Sequence, residues 1–148
     1  MNKSELMRFL EEHEKWQTRA TKEVSDGKKV TNWMWVIFPQ IQGFAEGPKA
    51  VVYGLFDTTE ARAYLTHPMF GPALVDISQK LLGVEGRSAL QIFGALDARK
   101  LHSCMTLFNL VAEGEPVFGA VLDKYFDGKP CAKTLTLADT TLGKATEE

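Results

Sequence analysis

Apolar residues recur along this chain mainly at helical rather than alternating spacing. Leu6, Phe9, Leu10, Trp16, Ala20 and Val24 share one face of a helix predicted from Ser4 to Asp26, and Gly27 follows where a left-handed C-cap sits. His13 and Gln17 fall inside that stripe, beside Phe9 and Leu10, and not on the charged side. The next apolar run, Trp33-Met34-Trp35-Val36-Ile37-Phe38, is stopped by Pro39. Thr31 is a candidate N-cap, and helical context on both sides favours a short helix over a buried strand. Buried indoles need partners for their N–H groups, so the run reads either as core with internal acceptors or as one wall of a pocket.

Gln42 to Pro48 reads as a loop, and Ala50 to Phe56 stays open between strand and helix. Asp57-Thr58-Thr59-Glu60 has the spacing of a capping box and starts a helix that His67-Pro68 ends. Gly71-Pro72 places proline at a first helical position, with Leu74, Val75, Ser78, Leu81 and Leu82 on one face up to Gly83. Ser88 to Gln91 repeats the box for one or two turns ending at Gly94. Asp97 then caps a second strongly periodic helix, striped by Leu101, Cys104, Met105, Phe108, Val111 and Ala112, which should be central to the core. Glu115-Pro116 opens a last helix that Asp127-Gly128-Lys129-Pro130 closes. The remainder is rich in threonine and short of core residues. The pattern predicts a mainly α, compact single-domain bundle of about six helices with at most one or two short strands, covering residues 1–139, and a frayed tail over 140–148.

At 148 residues the chain is long enough to bury a core without staples. A formal net charge of −2, with no basic run longer than Lys28-Lys29, disfavours non-specific nucleic-acid binding. Cys104 and Cys131 form no disulfide framework or metal-ligand spacing, so no metal or cofactor is expected. The charged amino terminus carries no signal-peptide core, and no stretch approaches the length of a spanning helix. The expectation is a soluble cytoplasmic protein with no membrane partner. Its oligomeric state is open.

There is no phosphate loop, nucleophile elbow or metal helix in the sequence, and Cys104 sits too deep in its stripe for a nucleophile. Candidate chemistry gathers instead around the aromatic run. Trp33 and Trp35 would stack on a planar or sugar face, Asn32 and Gln40 would read polar edges, and Lys28 and Lys100 would hold a phosphate or carboxylate. His13 and Gln17 would complete the ligand-binding set. Asp97, with Asp123 behind it, would act as acid or base beside Lys100. Each has a structural alternative: Asp97 as a cap, Lys28 and Lys29 at a helix C-terminus, Lys124 paired with surface carboxylates.

Several segments together resemble a family, the domain of unknown function 1810. They are Arg8-Phe9, Gly27-Lys28-Lys29 leading into Trp33 to Gln40, Glu60 to Leu65 with His67-Pro68 and Gly71, Ile92-Phe93-Gly94, Asp97, Lys100-Leu101, Ser103, Met105 to Phe108, and Val121 to Phe126. The resemblance runs from about Arg8 to Thr134 and implies a mainly helical fold without a settled function. Set against the family pattern, this chain departs at His13 (glutamine), Gln17 (an aromatic residue), Asn32 (histidine), and Ala45 and Gly47 (Gly-x-Ser). A weaker similarity in element order is to the NADAR group of helical domains that process ADP-ribose or N-glycosidic nucleotide derivatives, without that group's motifs.

Two functional readings follow. One is a small-molecule enzyme acting on a nucleotide-like or N-glycosidic, ADP-ribose-type ligand, which requires Trp33, Gln40 and Lys100 to converge on one pocket. The other is a non-catalytic binding or protein-interaction module using the loop from Gln42 to Pro48 and the aromatic run as a groove.

Overall fold

A short 3-10 turn, Met7–Phe9, leads into helix α1 (Leu10–Ser25) in a computed structural model that describes residues 6–147, with side chains described to residue 139. The predicted start at Ser4 lies outside the described residues. Gly27, at φ 77°, donates to the carbonyl of Val24 (2.9 Å), and Lys28 donates to that of Glu23 (3.0 Å). This pair of hydrogen bonds closes α1 as the sequence predicts, because a residue without Cβ adopts the left-handed conformation at little cost.

The aromatic run is a helix, α2 (Met34–Ile37), but Trp33 and not Thr31 occupies its N-cap position. The Thr31 hydroxyl and amide instead bond Glu23 of α1. The open segment that follows divides in two: Pro48–Tyr53 forms helix α3, while Leu55 makes a parallel bridge with Ile41. Helix α4 (Thr58–Thr66) is capped by Asp57, whose carboxylate accepts from the Glu60 amide at 2.8 Å. The box is left half made, because the Glu60 carboxylate turns to Arg8 and to the Phe56 amide.

Pro72 occupies the third position of helix α5 (Phe70–Gly83), not the first. The freed first-turn amides of Met69 and Phe70 donate to His67 Nδ1 at 3.1 and 3.3 Å. At the other end of α5, Lys124 donates to the carbonyls of Leu81, Leu82 and Val84, and the Tyr125 hydroxyl donates to Leu81. Lys124 therefore caps a helix C-terminus, where a cation opposes the negative dipole end, in place of the expected surface ion pair. Lys124→Met is expected to lower stability by about 1–2 kcal/mol. An unchanged urea midpoint would assign those carbonyls to solvent.

Helix α6 (Ala89–Val111) opens on a complete capping box between Ser88 and Gln91. Gly94, at φ 81° and ψ 166°, breaks it into two helical segments, as the sequence predicts. The break also corrects Asp97: lying three residues past Gly94 in the new first turn, it is not the N-cap and pairs with Lys29 at 2.8 Å. As expected, this helix is central. It packs against α2, α4, α7 (Val117–Phe126) and α8 (Ala132–Glu147).

Helix α8 is built from the threonine-rich segment that lacks a strong apolar stripe. It docks through buried Ala138 and through Thr134, whose hydroxyl lies 2.5 Å from that of Ser103. The expected fraying over 140–148 falls on residues whose side chains lie outside the description. The described residues thus form eight α-helices where about six were predicted, with no strand beyond the single bridge. The fold is mainly helical. Fully buried Phe9, Trp33, Phe38, Tyr64, Phe70, Phe108 and Phe118 lie in one core. Cys104 is buried among them, and burial pushes its thiol well up, so it holds no thiolate at neutral pH. No described helix is long and apolar enough to cross a membrane.

Candidate functional site

The two tryptophans that looked equivalent in sequence have opposite surroundings. Trp33 is 0% exposed and donates its indole N–H to Glu23 at 2.9 Å. The same carboxylate accepts the amides of Val30 (2.7 Å) and Thr31 (3.0 Å) and the Thr31 hydroxyl (2.7 Å). Burial on its own would raise the Glu23 pKa, but the hydrogen bonds from Thr31, Val30 and Trp33 outweigh it and hold the group at about 2. Trp33 is core with an internal acceptor. It cannot stack on a ligand.

Trp35 is nearly as buried, at 8% exposure, yet its indole N–H has no acceptor among the described residues. A buried donor without a partner costs about 1–3 kcal/mol, so such groups are rare unless something else supplies the bond. Its ring packs on Tyr53 with centroids 4.7 Å apart, and the Lys49 ammonium lies 4.1 Å from its ring centroid. The indole lines a cavity of about 380 Å³ together with Asn32, Gln40, Glu46, Lys49 and Lys100. A small void of about 10 Å³ adjoins it between Trp35, Gln40 and Tyr53. Gln40 is held by its own amide, which donates to the Phe38 carbonyl.

The chain reaches this geometry through three devices. Pro39 ends α2 directly beyond Trp35 and lets Gln40 and Gln42 clasp Leu55 through backbone bonds of 2.9 and 2.8 Å. Helix α3, which buries none of its residues, forms the outer wall. Its last carbonyls are gripped from outside, Val52 and Gly54 by the Arg8 guanidinium, Val51 and Gly54 by the Gln42 amide. Lys100 arrives from the helix after the Gly94 break, with Asp97 3.6 Å away.

Of the residues predicted to meet, Asn32, Trp35, Gln40 and Lys100 line one cavity. Trp33 does not. Lys28 is exposed and lines no part of it, and Asp97 stands behind the wall between Lys29 and Lys100. His13 and Gln17 also lie elsewhere: His13 is buried edge-on to Phe70 at 5.1 Å, and Gln17 reaches Thr21 at 3.4 Å. Sequence reasoning missed Lys49, Glu46 and the Glu23 anchor. For Glu23 the pattern was present, since it sits between Ala20 and Val24 on the buried stripe of α1.

Burial, reinforced by nearby His67, lowers the His13 pKa to about 4 from an ordinary 6.5. The unfolded chain therefore binds the extra proton first, and stability falls as pH drops from 6.5 towards 4. The loss from this group at pH 5, relative to pH 8, is expected to be about 2 kcal/mol. Urea titrations of the native chain and His13→Gln at both pH values check this. Equal losses in the two proteins would assign the pH dependence to other groups.

A larger depression of about 570 Å³ lies on another face, between Arg62, Leu65, Pro72, Val75 and Glu115. Size favours it, but among the described residues none in its lining has a partnerless buried polar atom. Among the described residues the other such atom is the Tyr64 hydroxyl, enclosed in the core and outside both linings. The Trp35 cavity is the stronger candidate, on chemistry.

Fold and cavity describe a mainly helical protein with a largely apolar cleft, set against an aromatic core and edged by a few amide and charged side chains. The chain belongs to the DUF1810 family, described as a protein of unknown function, which it matches over residues 3–138. The solved structure of the conserved hypothetical protein Rv1873 from Mycobacterium tuberculosis is similar to it throughout, with a TM-score of 0.90 and 36% sequence identity over 93% of this chain and 99% of that one. No curated protein matches the chain.

Proposed function

We propose that the protein binds a small, nucleotide-like molecule in the Trp35 cavity. The observation that carries this reading is the buried indole N–H of Trp35, a donor without an acceptor in the wall of a cavity that also presents two amides and two ammonium groups. The N–H itself is closed off, so a ligand acceptor satisfies it by displacing the side chains that cover it. Asn32 and Gln40 read polar edges, and Lys49 and Lys100 attract a negative charge.

Binding is placed ahead of turnover. The one carboxylate in the lining, Glu46, is exposed, and Asp97 is engaged by Lys29. Hydrolysis of an N-glycosidic or ADP-ribose-type ligand, with Glu46 or Asp97 as acid or base, is the next reading. A protein-interaction surface comes third, supported by exposed Val51, Val52 and Phe56 on and beside α3. Light scattering on the purified protein separates that one, since it requires assembly or a captured partner.

The test is a thermal-shift screen against nucleotides, sugars and nucleotide-sugars, because a ligand specific to the native state raises its melting temperature by mass action. Trp35→Phe keeps an aromatic ring and removes the N–H. For a ligand found in the screen, this variant is expected to lose about tenfold in affinity. A screen without any shift, or a ligand bound equally by Trp35→Phe, would sink the reading.

A further inference from the structure

The Trp35 cavity does not end at Lys100. A second cavity of about 330 Å³ abuts it, sharing Ala45, Glu46 and Lys100 and adding Phe44, Leu96, Arg99 and Lys133. The first compartment holds the aromatic wall and both amides. The second has Phe44 but no tryptophan and no amide side chain, and its polar side chains are three cations and Glu46. Four cations, Lys49, Lys100, Arg99 and Lys133, thus face two joined compartments against one lining carboxylate, in a chain whose net charge is −2.

Among the described residues Lys49, Arg99 and Lys133 are in no ion pair, so their charge is not spent on the protein's own carboxylates. Lys133 is nevertheless fixed in place: its ammonium donates to the Phe44 carbonyl at 2.9 Å and lies 5.3 Å from the Phe44 ring centroid. Lys100, at the junction, is only loosely met by Asp97 Oδ1 at 3.6 Å, while Lys29 contacts the other oxygen, Oδ2, at 2.8 Å.

We infer that the two compartments bind one elongated ligand of the nucleoside-diphosphate class. Its planar and sugar part lies at Trp35, Asn32 and Gln40, its first phosphate at Lys100, and its second phosphate between Arg99 and Lys133. This rests on the binding reading above and extends it from one compartment to two. A guanidinium forks onto two phosphate oxygens, so Arg99 is the residue on which discrimination between one phosphate and two depends most.

Calorimetric titration with adenosine, AMP and ADP, repeated with uridine, UMP and UDP and with inorganic pyrophosphate, tests the assignment on the full chain. The diphosphate of at least one base is expected to bind about tenfold more tightly than its monophosphate. That gain should shrink as salt is raised and disappear in Arg99→Gln or Lys133→Met. Lys80→Gln serves as a control: it removes a charge on α5 that lines neither compartment, and it should keep the full gain. Mono- and diphosphates bound equally, through Trp35, would overturn the second subsite and leave the binding reading standing. A diphosphate gain untouched in both Arg99→Gln and Lys133→Met would also overturn it. If no nucleoside, nucleotide or pyrophosphate binds, both readings fall together.

Discussion

Arg8→Met is expected to cost about 3–5 kcal/mol, a large part of the total stability of an ordinary domain. The reason lies with its partner more than with the arginine. Glu60 is fully buried and receives a bidentate bond from the guanidinium, at 2.5 and 2.9 Å, plus the Phe56 amide at 3.0 Å. Removing Arg8 leaves a carboxylate in the core with its countercharge gone. The substitution also releases the Val52 and Gly54 carbonyls and the contact of the guanidinium with the Phe9 and Phe56 rings. Adding Glu60→Leu should recover about 2 kcal/mol, since the uncompensated charge is then absent. Urea denaturation of both single variants and the double variant measures this. A single-variant cost below about 1 kcal/mol, or strict additivity in the double variant, would show that the pair contributes little.

The second large effect is expected at Glu23. Glu23→Ala orphans the indole N–H of Trp33 together with the Val30 and Thr31 donors, and is expected to cost about 4 kcal/mol. Its signature is in the pH dependence. The folded pKa of about 2 lies below the ordinary 4.5, so the stabilisation from ionised Glu23 is complete above pH 4.5 and is lost as pH falls towards 2. The native chain should therefore lose stability in that window more steeply than Glu23→Ala, and below the window in which His13 acts. Parallel stability curves for the two proteins between pH 4.5 and 2.5 would refute the assignment.

What could be read in the sequence was local. The Gly27 cap, the Asp57 cap and the Ser88 box each depend on residues within a few positions, and each is present in the structure. Errors arose where a distant partner decides. Thr31 has the chemistry of an N-cap, but its hydroxyl and amide donate to Glu23 eight positions earlier, and Trp33 stands at the N-cap position. Asp97 also has cap chemistry, yet the backbone turns at Gly94 and leaves it facing Lys29. Helix α8 was not foreseen because it docks through few residues, the Thr134–Ser103 hydroxyl pair with Ala138 and half-buried Leu137, and not through a long apolar stripe. At the candidate site the types of residue were legible but not their division. Trp33 and Trp35 differ in role only because Glu23 reaches one indole and nothing reaches the other.

Helix α3 is a wall that fully buries none of its side chains and meets the core through Tyr53, which packs on Phe9 and Trp35. Its neighbours hold it by backbone carbonyls, so its side chains at Lys49, Ala50 and Val51 are free to vary without disturbing the packed interior. Breadth of the cleft and robustness of the fold are thereby under separate control. Exchanging Lys49 and Ala50 on this short segment, with Tyr53 kept, would retune which molecules fit, while the melting temperature of the empty protein stays close to where it was.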